Sequence, residues 1–375
     1  MDIDIAGRIE SMIDAIIARP AARTHAALHA VPRHLFIPPV GIADASGGGE
    51  VVIDRDADPD TWWDAVYRNV PIVTQLDDGT TDLRSGTSGL YSSSNSAPGT
   101  VTDFLDLLDP CPGHRVLEIG TGTGWTAALL SHLVGAHNVT SIEVDAALAE
   151  QAAKNLGEAG VHPHLITGDG AGGSPERAPF DRVHVTCGIH AVPYAWVEQT
   201  RPGGVIVLPY DPGFVAGHAL RLTARPDGTA SGTFDGGAEY MMMRSQRIIA
   251  NAEDGTSRET RTRIDPRTIT QASPGAALAI SAITGLHISS HQETSRLLTW
   301  VTDPADPACW SLVIYVPDAG DYEVHQVGDR PLWEEVVDAY FRWLDWGEPG
   351  RYRFGMTVTP DGQRVWLDTP DHTLG

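Results

Sequence analysis

The residues best suited to chemistry lie in one glycine-rich segment. Residues 118–124 read Glu-Ile-Gly-Thr-Gly-Thr-Gly and connect a short apolar run, typical of a buried strand, to a helical pattern. Glycines at such a junction let a ligand approach the backbone and leave N–H groups free at the start of the helix. A dinucleotide-binding G-x-G-x-x-G fingerprint would need glycine at position 125, where the chain has Trp125. The acid that opens the segment instead suits a ligand with positive charge.

Two further acids follow the next two predicted strands. Glu143 closes the second strand, where a carboxylate can accept hydrogen bonds from both hydroxyls of a ribose. Asp169 comes after the third strand, where it could reach an adenine amino group. Three acid-bearing junctions in this order are the pattern of methyltransferases that bind S-adenosylmethionine (SAM), whose ammonium and sulfonium groups are cationic. The residues that this pattern predicts to bind SAM are Glu118, Gly120, Thr121, Gly122, Thr123, Gly124, Glu143, Asp169 and Gly170.

The elements that must position these residues alternate between strand and helix. Short apolar runs begin near residues 115, 139, 164, 182 and 205, and helical patterns lie between the first of them. The alternation predicts an α/β protein with a Rossmann-like, doubly wound and mainly parallel sheet. We expect N-terminal helices and insertion loops over residues 1–90, a SAM-binding methyltransferase core over 91–247, and a C-terminal α+β accessory region over 248–375.

Four local patterns refine this expectation. Residues 41–60 are rich in Gly and Asp and predict a loop or an insertion, whereas residues 239–243 predict a strand. Residues 331–346 carry apolar side chains at helical spacing between a proline and a glycine, which predicts a helix. Residues 352–368 predict a hairpin around a Pro-Asp-Gly turn.

The chain resembles the protein-L-isoaspartate O-methyltransferases from its N-terminal helix to about residue 247. The motifs that carry the resemblance are residues 31–36 (Val-Pro-Arg-His-Leu-Phe), 94–98 (Ser-Asn-Ser-Ala-Pro), 116–124, 168–170, 185–188 (Val-Thr-Cys-Gly) and 202–204 (Pro-Gly-Gly). The resemblance implies that Ser94 and Ser96 are catalytic residues, which lie over the methyl donor and help to hold the acceptor carboxylate. It also implies that Thr186 and Cys187 line the pocket, and we count Thr186 among the SAM-binding residues.

The chain departs from the sequence pattern of this family at two places. Asn95 stands where a small or aliphatic residue is common, and Gly99-Thr100 replaces a bulkier pair. We expect both departures to reshape the acceptor site. An acidic peptide could be attracted by the positive charges that lie nearest to these motifs in the sequence, which are Arg33, Arg84 and Arg244.

The predicted reaction explains why no catalytic triad or carboxylate pair is found. A peptide carboxyl group has a pKa near ~4 and is therefore ionised and nucleophilic at neutral pH. Methyl transfer from a sulfonium to this carboxylate is an in-line displacement that needs no general base. The enzyme must align the two reactants and exclude water.

The C-terminal region suggests a more specific function. About 130 residues follow the family core, as in the actinobacterial branch found with ribosomally made, modified peptides such as lanthipeptides, lasso peptides and graspetides. The resemblance to that branch implies that an ordinary L-Asp side chain in a macrocyclic peptide is methylated. The ester then collapses to an aspartimide, which gives isoaspartate on hydrolysis. Isoaspartyl repair of damaged proteins is the alternative, and a non-catalytic SAM-binding scaffold or a small-molecule methyltransferase is weaker.

Charge and composition exclude several other classes. The net charge of -23 argues against nucleic-acid and anionic-membrane partners. Three widely spaced cysteines without a C-x-x-C pair indicate neither a disulfide framework nor a zinc-thiolate site, and a cytoplasmic protein is expected. The pairs His162-x-His164 and His287-x-x-x-His291 lack a third ligand at a recognisable spacing, so no metal is expected. The oligomeric state stays open.

Overall fold

The chain forms two compact units. The computed structural model describes residues 4–16, 20–45, 48–214, 217–247 and 257–374. The first unit comprises Met1–Cys187, Ala195–Val207 and Thr223–Pro226, and the second comprises Gly188–Tyr194, Leu208–Leu222 and Asp227–Gly375. Residues on both sides of position 90 therefore share a unit, and the second unit begins well before residue 248. The expected boundary at 247/248 borders residues outside the described ranges, and the three functional segments stay a prediction.

The N-terminal part of the first unit consists of three helices and a four-stranded antiparallel sheet. The helices are α1 (Ile5–Asp14), α2 (Ala22–Ala30) and α3 (Pro59–Val66). The strands are β1 (Val40–Asp44), β2 (Glu50–Asp54), β3 (Ile72–Leu76) and β4 (Tyr91–Asn95), in the order β2-β1-β3-β4. Of the two alternatives for residues 41–60, the loop is wrong, because β2 and parts of β1 and α3 lie there, and the insertion stays a prediction. Ile42 and Ile53 pack into the core, and Asp58 caps α3 by accepting a hydrogen bond from the Thr61 N–H.

The rest of the first unit is the predicted doubly wound parallel sheet. Its strands are β5 (Val116–Ile119), β6 (Val139–Glu143), β7 (His164–Thr167), β8 (Phe180–Val185) and the start of β9 (Thr200–Tyr210), in the order β9-β8-β5-β6-β7. Its helices are α4 (Pro98–Leu108), α5 (Trp125–Val134), α6 (Ala146–Glu158) and most of α7 (Tyr194–Glu198). Every residue of β5 and β6 is buried, as expected for central strands covered on both faces.

The second unit contains two groups of strands. One has the order β10-β11-β17-β18, formed by β10 (His218–Ala224), β11 (Ala230–Gly237), β17 (Phe354–Thr359) and β18 (Gly362–Leu367). The other has the order β12-β16-β15-β14-β13, formed by β12 (Arg258–Thr262), β13 (His287–Glu293), β14 (Arg296–Asp303), β15 (Asp306–Tyr315) and β16 (Tyr322–Val327). The helices are α8 (Pro266–Thr270), α9 (Pro274–Thr284) and α10 (Leu332–Asp345).

The local predictions for this unit have mixed outcomes. The C-terminal helix is confirmed as α10, which buries Leu332, Val336 and Trp343, and the hairpin is confirmed as β17–β18. The strand predicted over residues 239–243 is wrong, because Met242 makes only an isolated bridge to Gly188. The strand lies earlier, at β11, whose Gly-rich sequence hides its β pattern.

Within the described ranges, no helix is both long enough and apolar enough to span a lipid bilayer.

Candidate donor and acceptor site

The glycine loop between β5 and α5 packs closely against Thr186, the residue that follows the neighbouring strand β8. Gly120, Gly122 and Gly124 have φ angles of 91°, 55° and 90°, a region that favours glycine. A Cβ atom at Gly120 would lie 2.4 Å from the Thr186 Oγ1 atom. That hydroxyl donates to the Gly120 carbonyl at 2.5 Å. Thr186, the residue after β8, thus holds the loop in place, and its contact with SAM stays a prediction.

Glu118 is buried beneath this loop with one oxygen free. Its side chain is 0% exposed, and its Oε2 atom accepts a 2.5 Å hydrogen bond from the Ser141 hydroxyl. The Oε1 atom has no hydrogen-bond partner among the described residues. Burial, together with the neighbouring Glu143 carboxylate, raises the pKa of Glu118 to about 8, although the Ser141 hydrogen bond opposes this. A buried carboxylate oxygen without a partner fits the ammonium group of SAM.

The other two predicted acids lie at the ends of neighbouring strands. Glu143 is 7% exposed, and its two oxygens accept hydrogen bonds from the Gly122 N–H at 2.8 Å and the Asp145 N–H at 3.1 Å. The Asp169 carboxylate is exposed and accepts from the Ala171 N–H at 2.9 Å. Because β5, β6 and β7 are parallel neighbours, the three acids meet at the carboxyl edge of the sheet. The structure therefore brings together, at this edge, the three acids that are predicted to bind the methyl donor.

Strand β4 contains one of the two predicted catalytic serines, Ser94, and the other, Ser96, follows directly after its last residue. Ser94 pairs with Val73 of β3, and both Ser94 and Ser96 are half-buried. The Ser94 carbonyl oxygen lies 3.6 Å from the position that a Cβ atom would take at Gly122. Ser94 and the glycine loop are therefore adjacent, although Ser94 and Ile119 are 25 positions apart in the sequence and helix α4 lies between them.

Arg33 is not the surface charge that its sequence context suggested. It is 1% exposed and donates six hydrogen bonds, one of them from Nε to the Asn95 Oδ1 atom at 2.7 Å. The other acceptors are the carbonyl oxygens of Val66, Arg68, Val70, Asn95 and Ser96. Burial lowers the pKa of Arg33 to about 9. This guanidinium holds the end of the serine-bearing strand β4 through its hydrogen bonds to Asn95 and Ser96. Because it is buried, it cannot attract an acidic peptide.

The two departures from the family pattern have structural explanations. Asn95 is 3% exposed and donates to the Thr123 Oγ1 atom at 2.9 Å while accepting from Arg33. It therefore links the acceptor strand to the glycine loop. The Gly99 N–H donates to the Asn69 Oδ1 atom at 2.7 Å, and a Cβ atom at Gly99 would lie 2.9 Å from Asn69 Nδ2. A larger residue at position 99 would therefore require the Asn69 side chain to shift.

Cys187, which was expected to line the pocket, is half-buried. Desolvation, and the carboxylates of Glu143 and Asp169, raise the pKa of its thiol to about 12. The thiol therefore stays protonated at neutral pH, which argues against a role as nucleophile, and its place in the pocket wall stays a prediction.

Two supporting residues escaped the sequence prediction. Ser141 faces Glu118 in register across β5 and β6 and also lies 2.6 Å from the Thr121 hydroxyl. Asn155 of α6 donates to the Thr123 carbonyl at 2.9 Å. Ser141 could have been found, because a polar residue in a fully buried strand must have a partner. No local pattern marks Asn155.

The fold and this edge of the sheet define the class of the protein. The strand order β9-β8-β5-β6-β7, with a glycine loop after the central strand and acids after the next two, is that of a Rossmann-like SAM-dependent methyltransferase. A solved protein-L-isoaspartate O-methyltransferase supports this fold, with a TM-score of 0.55 over 97% of this chain and 99% of that chain, at 19% sequence identity.

The chain belongs to the protein-L-isoaspartate O-methyltransferase family. It is 36% identical over 200 residues to the protein-L-isoaspartate O-methyltransferase of Methanoregula boonei. The aligned residues make up 53% of this chain and 72% of the relative. The family profile described as "Protein-L-isoaspartate(D-aspartate) O-methyltransferase (PCMT)" matches residues 67–245. The relative from Pyrococcus horikoshii is 40% identical over 147 residues, 39% of this chain. The chain matches 66% of that relative and 53% of the one from Pyrococcus abyssi.

Proposed function

We propose that this protein is a SAM-dependent carboxyl O-methyltransferase whose acceptor is an isoaspartyl residue of a protein or peptide. One juxtaposition carries the proposal. In a chain of the isoaspartate O-methyltransferase family, the serine-bearing strand β4 lies against the glycine loop, with the Ser94 carbonyl beside Gly122. Donor and acceptor candidates are thus within reach of one another, which is what a transfer between two bound reactants needs.

The donor half of the site is assigned to the acids and the glycine loop. SAM would supply an electrophilic methyl group on its sulfonium. Glu118 would accept a hydrogen bond from the ammonium group of SAM through its free Oε1 atom. Glu143 is held in place by two backbone N–H groups, and its oxygens keep lone pairs for the ribose hydroxyls. The exposed Asp169 carboxylate would accept a hydrogen bond from the adenine amino group.

The acceptor half needs positioning rather than proton transfer. The attacking carboxylate is already ionised at neutral pH, so no residue has to remove a proton. Ser94 and Ser96 would donate hydrogen bonds that aim this carboxylate at the methyl group. Arg33 and Asn95 would act through them, because they hold the end of β4, which contains Ser94, and Arg33 also donates to the carbonyl of the following Ser96. The overall charge of -23 opposes an acidic acceptor, so these local donors have to compensate for it.

A second acceptor is an ordinary L-Asp in a ribosomally made macrocyclic peptide. Its methyl ester would be attacked by the following backbone nitrogen, which expels methanol and gives an aspartimide. The sequence argument for this acceptor was the long C-terminal region. The solved isoaspartate O-methyltransferase described above covers 97% of this chain, so that region does not distinguish the two acceptors. The isoaspartyl acceptor is therefore the better supported of the two.

The two acceptors can be separated by intact-mass analysis. The full chain is incubated with SAM and either a linear isoaspartyl peptide or a macrocyclised precursor peptide encoded near the gene, with hydrazine present to trap succinimide. We expect a mass gain of one methyl group, or the trapped hydrazide, on the isoaspartyl peptide. The matched control is the same peptide with ordinary Asp.

Each other result of this experiment changes the assignment. Modification of the macrocyclic peptide alone would replace repair by peptide tailoring. Donor binding without turnover on either acceptor would favour the non-catalytic scaffold. Deletion of residues 248–375 is not a useful variant, because it removes β17 from the edge of β11 within the second unit. The role of the two serines in positioning the acceptor carboxylate is tested instead with Ser94→Ala and Ser96→Ala in the full chain.

A further inference from the structure

One cluster of metal-ligating side chains lies outside the donor and acceptor site. Glu10 of α1 faces His25 and His29 of α2, and one ligand atom from each lies within 4.8 Å of the other two. The His29 Nε2 atom is 2.8 Å from the Glu10 Oε1 atom, and the His25 Nε2 atom is 3.7 Å from Glu10 Oε2. Among the described residues, this is the one group of three or more histidine, cysteine or acidic side chains so placed.

The helix explains why these two histidines converge. Residues four apart lie on one face of a helix, and the rings of His25 and His29 are 5.2 Å apart between centroids. The same spacing at His287 and His291 falls on strand β13, where four residues span about 13 Å. His162 and His164 are exposed and belong to no such group in the described part of the chain. The sequence analysis did not single out His25 and His29, whose H-x-x-x-H spacing brings the two rings together because it falls on a helix.

We propose that Glu10, His25 and His29 form a binding site for a divalent transition-metal ion of the Zn²⁺ type. Ligand atoms around a tetrahedral Zn²⁺ lie about 3.3 Å apart. The two nitrogen–oxygen distances in the cluster end on different oxygens of Glu10, 2.8 Å to Oε1 and 3.7 Å to Oε2, and all three ligand atoms lie within 4.8 Å of one another. Two imidazole nitrogens and one carboxylate oxygen are ligands that Zn²⁺ accepts, and water would complete the coordination. The net charge of -23 also favours cations near the surface.

The ion would join α1 to α2. Helix α1 otherwise packs through its apolar face, including Ile9, Met12 and Ile13, and through the exposed ion pair between Arg8 and Asp64. A metal bridge between the helices would stabilise this part of the first unit, because an ion bound only by the folded state shifts the unfolding equilibrium. The site does not depend on SAM or on methyl transfer.

The test uses the full chain without an affinity tag, after removal of metals with a chelator. Zn²⁺ binding is measured by competition with a chromophoric chelator, and thermal unfolding is followed with and without Zn²⁺. We expect one Zn²⁺ per chain and a higher unfolding temperature in its presence. His25→Gln or His29→Gln should each weaken binding about tenfold or more, since even the loss of an outer hydrogen-bond partner costs that much. Glu10→Gln should weaken it as well.

The double variant His162→Gln/His164→Gln is the matched control, because it removes two exposed histidines outside the cluster. It should bind Zn²⁺ as the unmodified chain does. Absence of stoichiometric binding would overturn the proposal and leave a hydrogen-bonded surface cluster. So would binding that survives His25→Gln and His29→Gln, or binding that only the control variant loses. All variants alter side chains at the surface, and circular dichroism verifies that each is folded.

Discussion

Replacement of Glu118 by glutamine is expected to stabilise the protein without ligand and to weaken donor binding. Glutamine keeps the shape of the side chain and can still accept the hydrogen bond from Ser141. It removes a carboxyl group that is 0% exposed and has one oxygen without a partner among the described residues. The two effects have opposite signs because the ionised form of Glu118 is unfavourable when buried without a ligand, whereas it is the form that the ammonium group of the donor would need.

The size of the effect on stability follows from the pKa. Burial raises the pKa of Glu118 from 4.5 to about 8. Between these values the unfolded chain has released a proton that the folded chain retains, so this residue makes the fold less stable as pH rises. Each pKa unit corresponds to about 1.4 kcal/mol, so at pH 7 the penalty is about 3 kcal/mol. Removing it should raise the unfolding temperature by on the order of 5–10 °C.

Two measurements check this reasoning. Thermal unfolding of the unliganded protein is compared at pH 5, 6, 7 and 8, and the advantage of Glu118→Gln should grow with pH. Calorimetric titration with S-adenosylhomocysteine at pH 7 should show affinity reduced roughly 10- to 100-fold, the value of a hydrogen bond between charged groups. Glu158→Gln, at an exposed end of α6, is the control. A variant that is no more stable than the parent at pH 8, or that binds ligand equally well, would refute the assignment of Glu118.

Three other predictions concern the same site. Glu143→Ala should weaken SAM binding about tenfold or more, because it removes the ribose acceptor and frees the Gly122 N–H, and calorimetry should detect this. Ser94→Ala and Ser96→Ala should reduce kcat on an isoaspartyl peptide more than they reduce SAM affinity, and parental turnover in both would contradict their role. Arg33→Met should lower the unfolding temperature strongly, because loss of several buried hydrogen bonds costs about 1–3 kcal/mol for each carbonyl left unsatisfied. Parental stability of that variant would contradict the buried network.

The donor half of the site was predictable because it is built from local sequence. A strand, a glycine loop and a helix follow one another within residues 116–134, and their residue types determine their conformations. The acids after the next two strands meet there because parallel strands bring their carboxyl ends to one edge of the sheet. The predicted site residues therefore converge, while their individual roles stay predictions.

The sequence by itself thus determined the fold class and the family, and it predicted which residues converge at the carboxyl edge of the sheet, because all of these follow from short-range patterns. The tertiary structure alone decided that Arg33 lies beneath the serine strand, that Asn95 joins this strand to the glycine loop, and that Glu10 meets the histidines of α2. These contacts join residues that are 62, 28 and 19 positions apart. Which side chains meet across such distances depends on strand register and helix packing, and neither is encoded in the residues next to them.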